Sequence, residues 1–276
     1  MDVNQGVSSK ARLLIYVTAA AFGLMGLLLF ILPTWSAANF SWKISSIVAM
    51  TMGGWYLGTA VMAGLVAFHR RWNVIYCSGL YLIIFSLSEA LVLVIHSTKL
   101  KLDALLAWPY IGMLALAILA GIFALLDWAR QKPVMTEEGS PVTAWMRVVI
   151  VVFILFVFLL SGVAFSGYWV GLNGVIFPEP LSLFTLHSFG AFYFSLAFSV
   201  LTLLRVRRLA AVTVEVWGGL ALISFITAAA LLNLRVFNFS EHPFQLIYLG
   251  VYIIALVLAL FFLWYERVQR KDSSAA

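Results

Sequence analysis

The chain is 276 residues long, 64% hydrophobic and only 10% charged, with a formal net charge of +6. Soluble globular domains are about half apolar and about a quarter charged, so a soluble domain of this length is excluded: it could not hide so much apolar surface. The positive balance does not point to nucleic acid, because the basic residues fall at the ends of apolar stretches on one side of a membrane.

Residues 1–11 form a short polar tail. Eight apolar stretches of roughly 20 residues follow, each able to cross a hydrocarbon core of about 30 Å at 1.5 Å per residue. They are expected near 13–32, 44–68, 74–95, 105–126, 148–165, 184–204, 210–232 and 244–264. The alternating segments of about ten residues that mark a membrane barrel are missing. The first run exceeds the roughly 7–15 residues of a signal-peptide core, and its counterpart is the fifth run, so it is expected to be retained.

The second half retraces the first. Arg12 and Arg147 each precede an apolar run, and Trp35 and Trp169 follow one. Ser45, Gly53 and Tyr56 are matched by Ser182, Gly190 and Tyr193 at one constant offset, which also relates Arg70-Arg71 to Arg207-Arg208. Pro109-Tyr110 answers to Pro243-Phe244, and Arg130 to Arg267. The expected fold is an all-α integral membrane protein with eight transmembrane helices, built as two tandem parallel four-helix repeats at 12–130 and 147–267. A polar linker at 131–146, with Glu137, Glu138, Gly139 and Pro141, joins them, and 268–276 is a second tail. An even number of spans per repeat excludes inverted repeats.

With a cytoplasmic N-terminus, thirteen of the seventeen Lys and Arg residues fall inside: Lys10, Arg12, Arg70, Arg71, Arg130, Lys132, Arg147, Arg205, Arg207, Arg208, Arg267, Arg270 and Lys271. Lys43, Lys99, Lys101 and Arg235 fall outside. The positive-inside rule then places both termini in the cytoplasm, and small size with short loops fits a prokaryotic cell membrane. Trp35, Trp42, Trp108 and Trp169 are expected at the outer boundary, and Trp72, Trp128, Trp145 and Trp264 at the inner one. Trp55 and Trp217 lie between, where aromatic core packing is the ordinary fate.

Several landmarks read as scaffold. Ser45 and Ser182 can cap the second helix of each repeat, and Pro109 and Pro243 fit the first turn of the fourth. Gly53, Gly54, Gly58 and Gly190 form smooth strips for close helix packing. The outer connection 166–183, rich in glycine and aromatics (Gly171, Asn173, Gly174, Phe177), is expected in the membrane interface or dipping back among the helices.

Glu89, about fifteen residues into the third span, is the leading candidate for chemistry. A carboxylate there costs several kcal/mol unless it is protonated, paired or facing water. Ser86 and Ser88 stand beside it, and Tyr56 and Tyr193 offer one hydroxyl per repeat as candidate substrate or proton ligands. Glu215 in the seventh span is expected to pair with an inner arginine, and His187 lies beside the outer connection. No two histidines share a helix at ligand spacing, so no metal site and no cofactor is expected. The lone Cys77 excludes an internal disulfide. Zinc-protease, nucleophile-elbow, phosphate-loop and dinucleotide motifs are missing.

These features point to a permease or ion-coupled carrier for a small apolar or amphipathic solute, with Glu89 as the intramembrane carboxylate. Two other classes fit the same sequence: a non-catalytic subunit or assembly factor of a larger membrane complex, and a haem- or quinone-binding membrane protein. The expected partners are the lipid bilayer and either a second copy or a membrane complex, with no nucleic acid.

Overall fold

A computed structural model describes residues 6–69, 71–133, 141–168 and 176–275. The chain forms α1 (Ser9–Ile31), α2 (Pro33–Ala38), α3 (Ser46–His69), α4 (Trp72–Ile95), α5 (Ala107–Gln131), α6 (Ala144–Ser166), α7 (Leu183–Leu201), α8 (Thr213–Leu232) and α9 (Gln245–Ala275). All but the short α2 are long and apolar enough to cross a membrane. The described residues form no strand, only two isolated bridges, Gly6 with Arg71 and Pro141 with Arg208.

Local chemistry sets the helix ends. Ser8 Oγ accepts from Ala11 N–H and Ser182 Oγ from Thr185 N–H, each satisfying an amide that the first turn leaves free. Ser45 does the same for Val48 at the start of α3. Pro109 lies in the first turn of α5, where no amide donor is needed. At the other ends, Lys132 (φ 44°) closes α5 and Gly167 (φ 68°) closes α6 in the left-handed conformation.

The buried centre is built from the middle two helices of each half. α3 packs along α8, and α4 along α7. The spans containing α3 and α7 are each 72% buried, against 22% for α6 and 11% for the span in α9, so these two are the walls and the others the centre. α1 lies against α3 as α6 lies against α7, and α5 against α4 as α9 against α8. Where the halves meet, Trp55 stacks on Phe192 with ring centroids 4.4 Å apart and planes 3° apart. Ser78 donates to Glu215 at 2.7 Å across a separation of 137 residues, the offset that also separates Trp55 from Phe192.

The glycines allow these approaches. A Cβ on Gly53 would lie 2.6 Å from the Phe30 amide nitrogen of α1. On Gly58 it would lie 2.3 Å from Leu222 Cα of α8, and on Gly54 3.1 Å from the Ile226 nitrogen. Gly190 instead makes room for the Phe165 ring of α6, 2.9 Å away. The strip on α3 therefore serves two neighbours, α1 and α8.

Several expectations are corrected. The N-terminal tail ends at Ser8, whose N–H donates to Asp127 of α5 at 3.0 Å, and Gln131 donates to the Gly6 carbonyl. The tail expected at 268–276 continues α9 to Ala275, a conformation which that expectation left open. Trp42, expected at the outer boundary, lies by the first turn of α7 but is turned inward: it is 2% exposed, stacked on Phe184 and donating to Thr185. Trp217 is not core but 45% exposed on the helix surface. The short α2 begins with Pro33 at its first position and is tied back by Ser36 Oγ donating to the Leu28 carbonyl. Arg70, Glu137, Glu138, Gly139, Trp169, Gly171, Asn173 and Gly174 lie outside the described residues.

Candidate functional site

α4 carries Glu89 into the centre, where it is 0% exposed. Its partners come from α5 and α7: Tyr110 Oη donates to Oε2 at 3.0 Å, and Ser188 Oγ donates to the same oxygen at 3.2 Å. Oε1 has no hydrogen-bond partner among the described residues. Tyr56 of α3 brings another wholly buried hydroxyl near the group, its ring 6.1 Å from that of Tyr110. The carboxyl of α4 thus holds hydroxyls of α5 and α7 and links the first half to the second.

The serines beside it in sequence serve otherwise. Ser86 donates to the Leu82 carbonyl one turn back, the usual fate of a helical serine with no better acceptor, and Ser88 is half-buried on another face. Tyr193 belongs to a different group: its hydroxyl lies 3.1 Å from that of Tyr252, on the far side of α7. The two tyrosines matched in sequence therefore serve two sites.

Further polar pairs follow α4 above and below Glu89. Thr59 Oγ1 and Tyr81 Oη are 3.0 Å apart. Below them lies the Ser78–Glu215 bond, with Cys77 Sγ donating to the Ser199 carbonyl beside it. The partner of Glu215 is therefore Ser78 rather than an inner arginine, because its carboxyl faces α4 across the join and not the helix start. At the other end, His96 Nε2 lies 2.9 Å from His187 Nδ1. From Ser78 to His96, α4 rises about 27 Å, most of a hydrocarbon core of about 30 Å. Buried polar groups thus recur through nearly the full depth of the central interface.

The histidine pair stands outside the α4 span. His96 stacks on Phe184 at 4.7 Å, and Phe184 on Trp42 at 4.2 Å. Burial pushes the His96 imidazole below its usual protonation range, and the neighbouring His187 and Lys99 push the same way. Two rings joined at 2.9 Å share a proton. Axial ligands on opposite faces of a haem would stand about 4 Å apart, given metal–nitrogen bonds of about 2 Å. His69 is exposed and His242 half-buried elsewhere, and no three His, Cys, Asp or Glu side chains converge among the described residues.

A second feature lies on the far side of α7. A cleft of about 570 Å³ separates α6 from α9, walled by α7 and α8. Its lining is apolar (Phe156, Leu160, Phe189, Ile223 and Leu258 among others), with the Tyr193–Tyr252 pair, Glu215 towards one end and Glu179 towards the other. α7 is shared between the two features. Ser188 turns to Glu89, while Phe189 and Tyr193 turn to the cleft.

Comparison with known proteins finds no match: no family model, no curated protein and no solved structure is similar to the chain. Sequence reasoning singled out Glu89, Glu215 and His187 but missed Ser188, and it read Tyr110 only as the neighbour of a helix-starting proline. Nothing local to either residue signals a carboxyl on another helix.

Proposed function

We propose that the protein is an ion-coupled carrier in which Glu89 binds the coupling proton or cation and the cargo is an apolar or amphipathic solute. One observation carries this reading: a wholly buried carboxyl, held at a single oxygen by hydroxyls from α5 and α7, with its second oxygen unpartnered. Intramembrane acids are costly and mark ion or substrate paths. An ionised Glu89 accepts both hydroxyl bonds; a protonated one also presents a hydrogen at Oε1 and demands an acceptor there. Each change of state therefore alters how α7 is held, and α7 also walls the cleft.

The same reading takes the molecule as two tandem four-helix repeats related by a twofold axis along the membrane normal, both termini in the cytoplasm of a prokaryotic cell. Two kinds of contact support it. Residues at matched positions meet, Trp55 with Phe192 and Ser78 with Glu215, as residues beside a twofold axis do. The pairing of α3 with α8 is mirrored by that of α7 with α4.

Purified protein in liposomes loaded with a pH-sensitive dye, challenged with a panel of amphipathic solutes, tests the proposal. Wild type is expected to move protons with its solute. Glu89→Gln is expected to elute and unfold as wild type does and to move none. Equal flux through Glu89→Gln would overturn the reading. A stoichiometric protein partner retained after gentle extraction, with no flux by either form, would favour the subunit reading instead.

A further inference from the structure

The cleft between α6 and α9 also has a charge pattern and a shape. Its lining runs along α6 from Val148 to Leu160 and along α9 from Ile247 to Phe262, distances of about 18 Å and about 22 Å at 1.5 Å per residue. A volume of about 570 Å³ spread over that length is a slot, not a chamber. Its mean cross-section is roughly 28 Å² over about 20 Å of helix. An extended hydrocarbon chain, whose carbons keep about 4 Å from their neighbours, fits such a slot singly. The wall helices α6 and α9 meet at one end, where Trp145 packs on Phe261 and Tyr265, and the slot opens beyond it.

The ionisable groups that line the slot carry one sign. Glu179 and Glu215 are acidic, and no lysine, arginine or histidine lines it among the described residues. Glu215 is already held by Ser78. Glu179 lies half-buried at the other end, close in sequence to Phe177, whose ring meets Phe189 at 5.7 Å and Tyr248 at 5.5 Å, both edge-on. A carboxylate at the end of an apolar slot attracts a cationic head and repels an anionic one.

We infer that the slot takes a single-chain amphiphile with a cationic head, drawn sideways from the bilayer, its tail between α6 and α9 and its head at Glu179. The inference names the cargo class of the carrier proposed above and rests on that reading for its purpose, though not for its geometry.

The test is native mass spectrometry of the full chain in phosphatidylcholine nanodiscs doped with one of three probes of equal tail length. These are hexadecyltrimethylammonium, hexadecanol and hexadecanoate. One ammonium probe per protein is expected to remain bound, at least about tenfold more than hexadecanoate, a difference of about 1.4 kcal/mol. Glu179→Gln should remove that preference while the chain still binds. A Cβ at Gly219, inside the slot, meets nothing within 4 Å, so Gly219→Phe should fill the space and abolish retention without disturbing the backbone. Gly112 of α5 is equally open, and Gly112→Phe should bind as wild type does. Equal retention of all three heads would overturn the head assignment. Unchanged retention by Gly219→Phe, or none by wild type, would overturn the slot. No gradient is applied, so this binding and the proton flux through Glu89 can fail independently.

Discussion

The first four spans and the last four make similar helix contacts and end differently. In the first, α1 runs along both α3 and α5 and closes the bundle. Ser8 and Gly6 then fasten the start of the chain to Asp127 and Gln131 of α5. In the second, α6 keeps its contact with α7, but α6 and α9 part and leave the cleft. Composition explains part of this. The stretch of α1 facing its neighbours includes Ala19, Ala21, Gly23 and Gly26, and a Cβ on Gly26 would lie 2.8 Å from the Leu57 nitrogen. The matching stretch of α6 is a run of Val, Ile, Phe and Leu, whose bulk holds neighbours apart. Close packing of small residues makes a wall, and bulky residues that fail to interlock leave space.

The contrast can be broken most severely at the join. Gly58→Val would push a side chain into Leu222 Cα, backbone that cannot give way, and is expected to prevent stable folding or to cost at least about 3 kcal/mol. Gly219→Val, on the same α8 but facing the cleft, should change stability by less than about 1 kcal/mol. Denaturant unfolding of the two variants in detergent measures the difference, and similar losses would show that the cleft side is packed as tightly as the join.

Trp55→Ala comes next. It removes a wholly buried ring stacked on Phe192, with an expected cost of about 3–5 kcal/mol. Trp217→Ala, on a ring 45% exposed, should cost less than about 1 kcal/mol in the same unfolding experiment.

The smallest expected effect is on pH dependence. Native His96 is held below its ordinary protonation range, so the unfolded chain binds more protons than the native one as the pH falls through about 6.5. Stability from this residue is therefore full above that pH and declines on acidification. Thermal unfolding followed from about pH 8 to about pH 5 should show the decline in wild type. His96→Gln should flatten it; an unchanged slope would assign it to other groups.

Much of the fold was legible because hydrophobic length is a local property. The bilayer demands about 20 apolar residues per helix, and each span declares itself without reference to any other. Helix caps were legible for the same reason: Ser182 and its amide partner lie three residues apart. The tail at 268–276 was legible as polar but not as helical, since a helix leaving the membrane needs no apolar residues to continue. Trp217 misled because a mid-span tryptophan can face the core or the outside, and only the neighbouring helices decide which.

Glu89 shows where sequence stops. Its place in a span, and so its cost and its interest, could be read from the chain alone. Its partners could not, because Ser188 is separated from it by 99 residues and reaches it only after the two halves have packed. The pairing of His96 with His187 and the split of Tyr56 from Tyr193 are of the same kind. By itself the sequence determined the number of apolar spans, their approximate ends and which ionisable groups lie at membrane depth, since these depend on composition along a line. Only the tertiary structure decided which polar groups meet and where space is left, because hydrogen bonds and cavities depend on the faces that helices turn to one another.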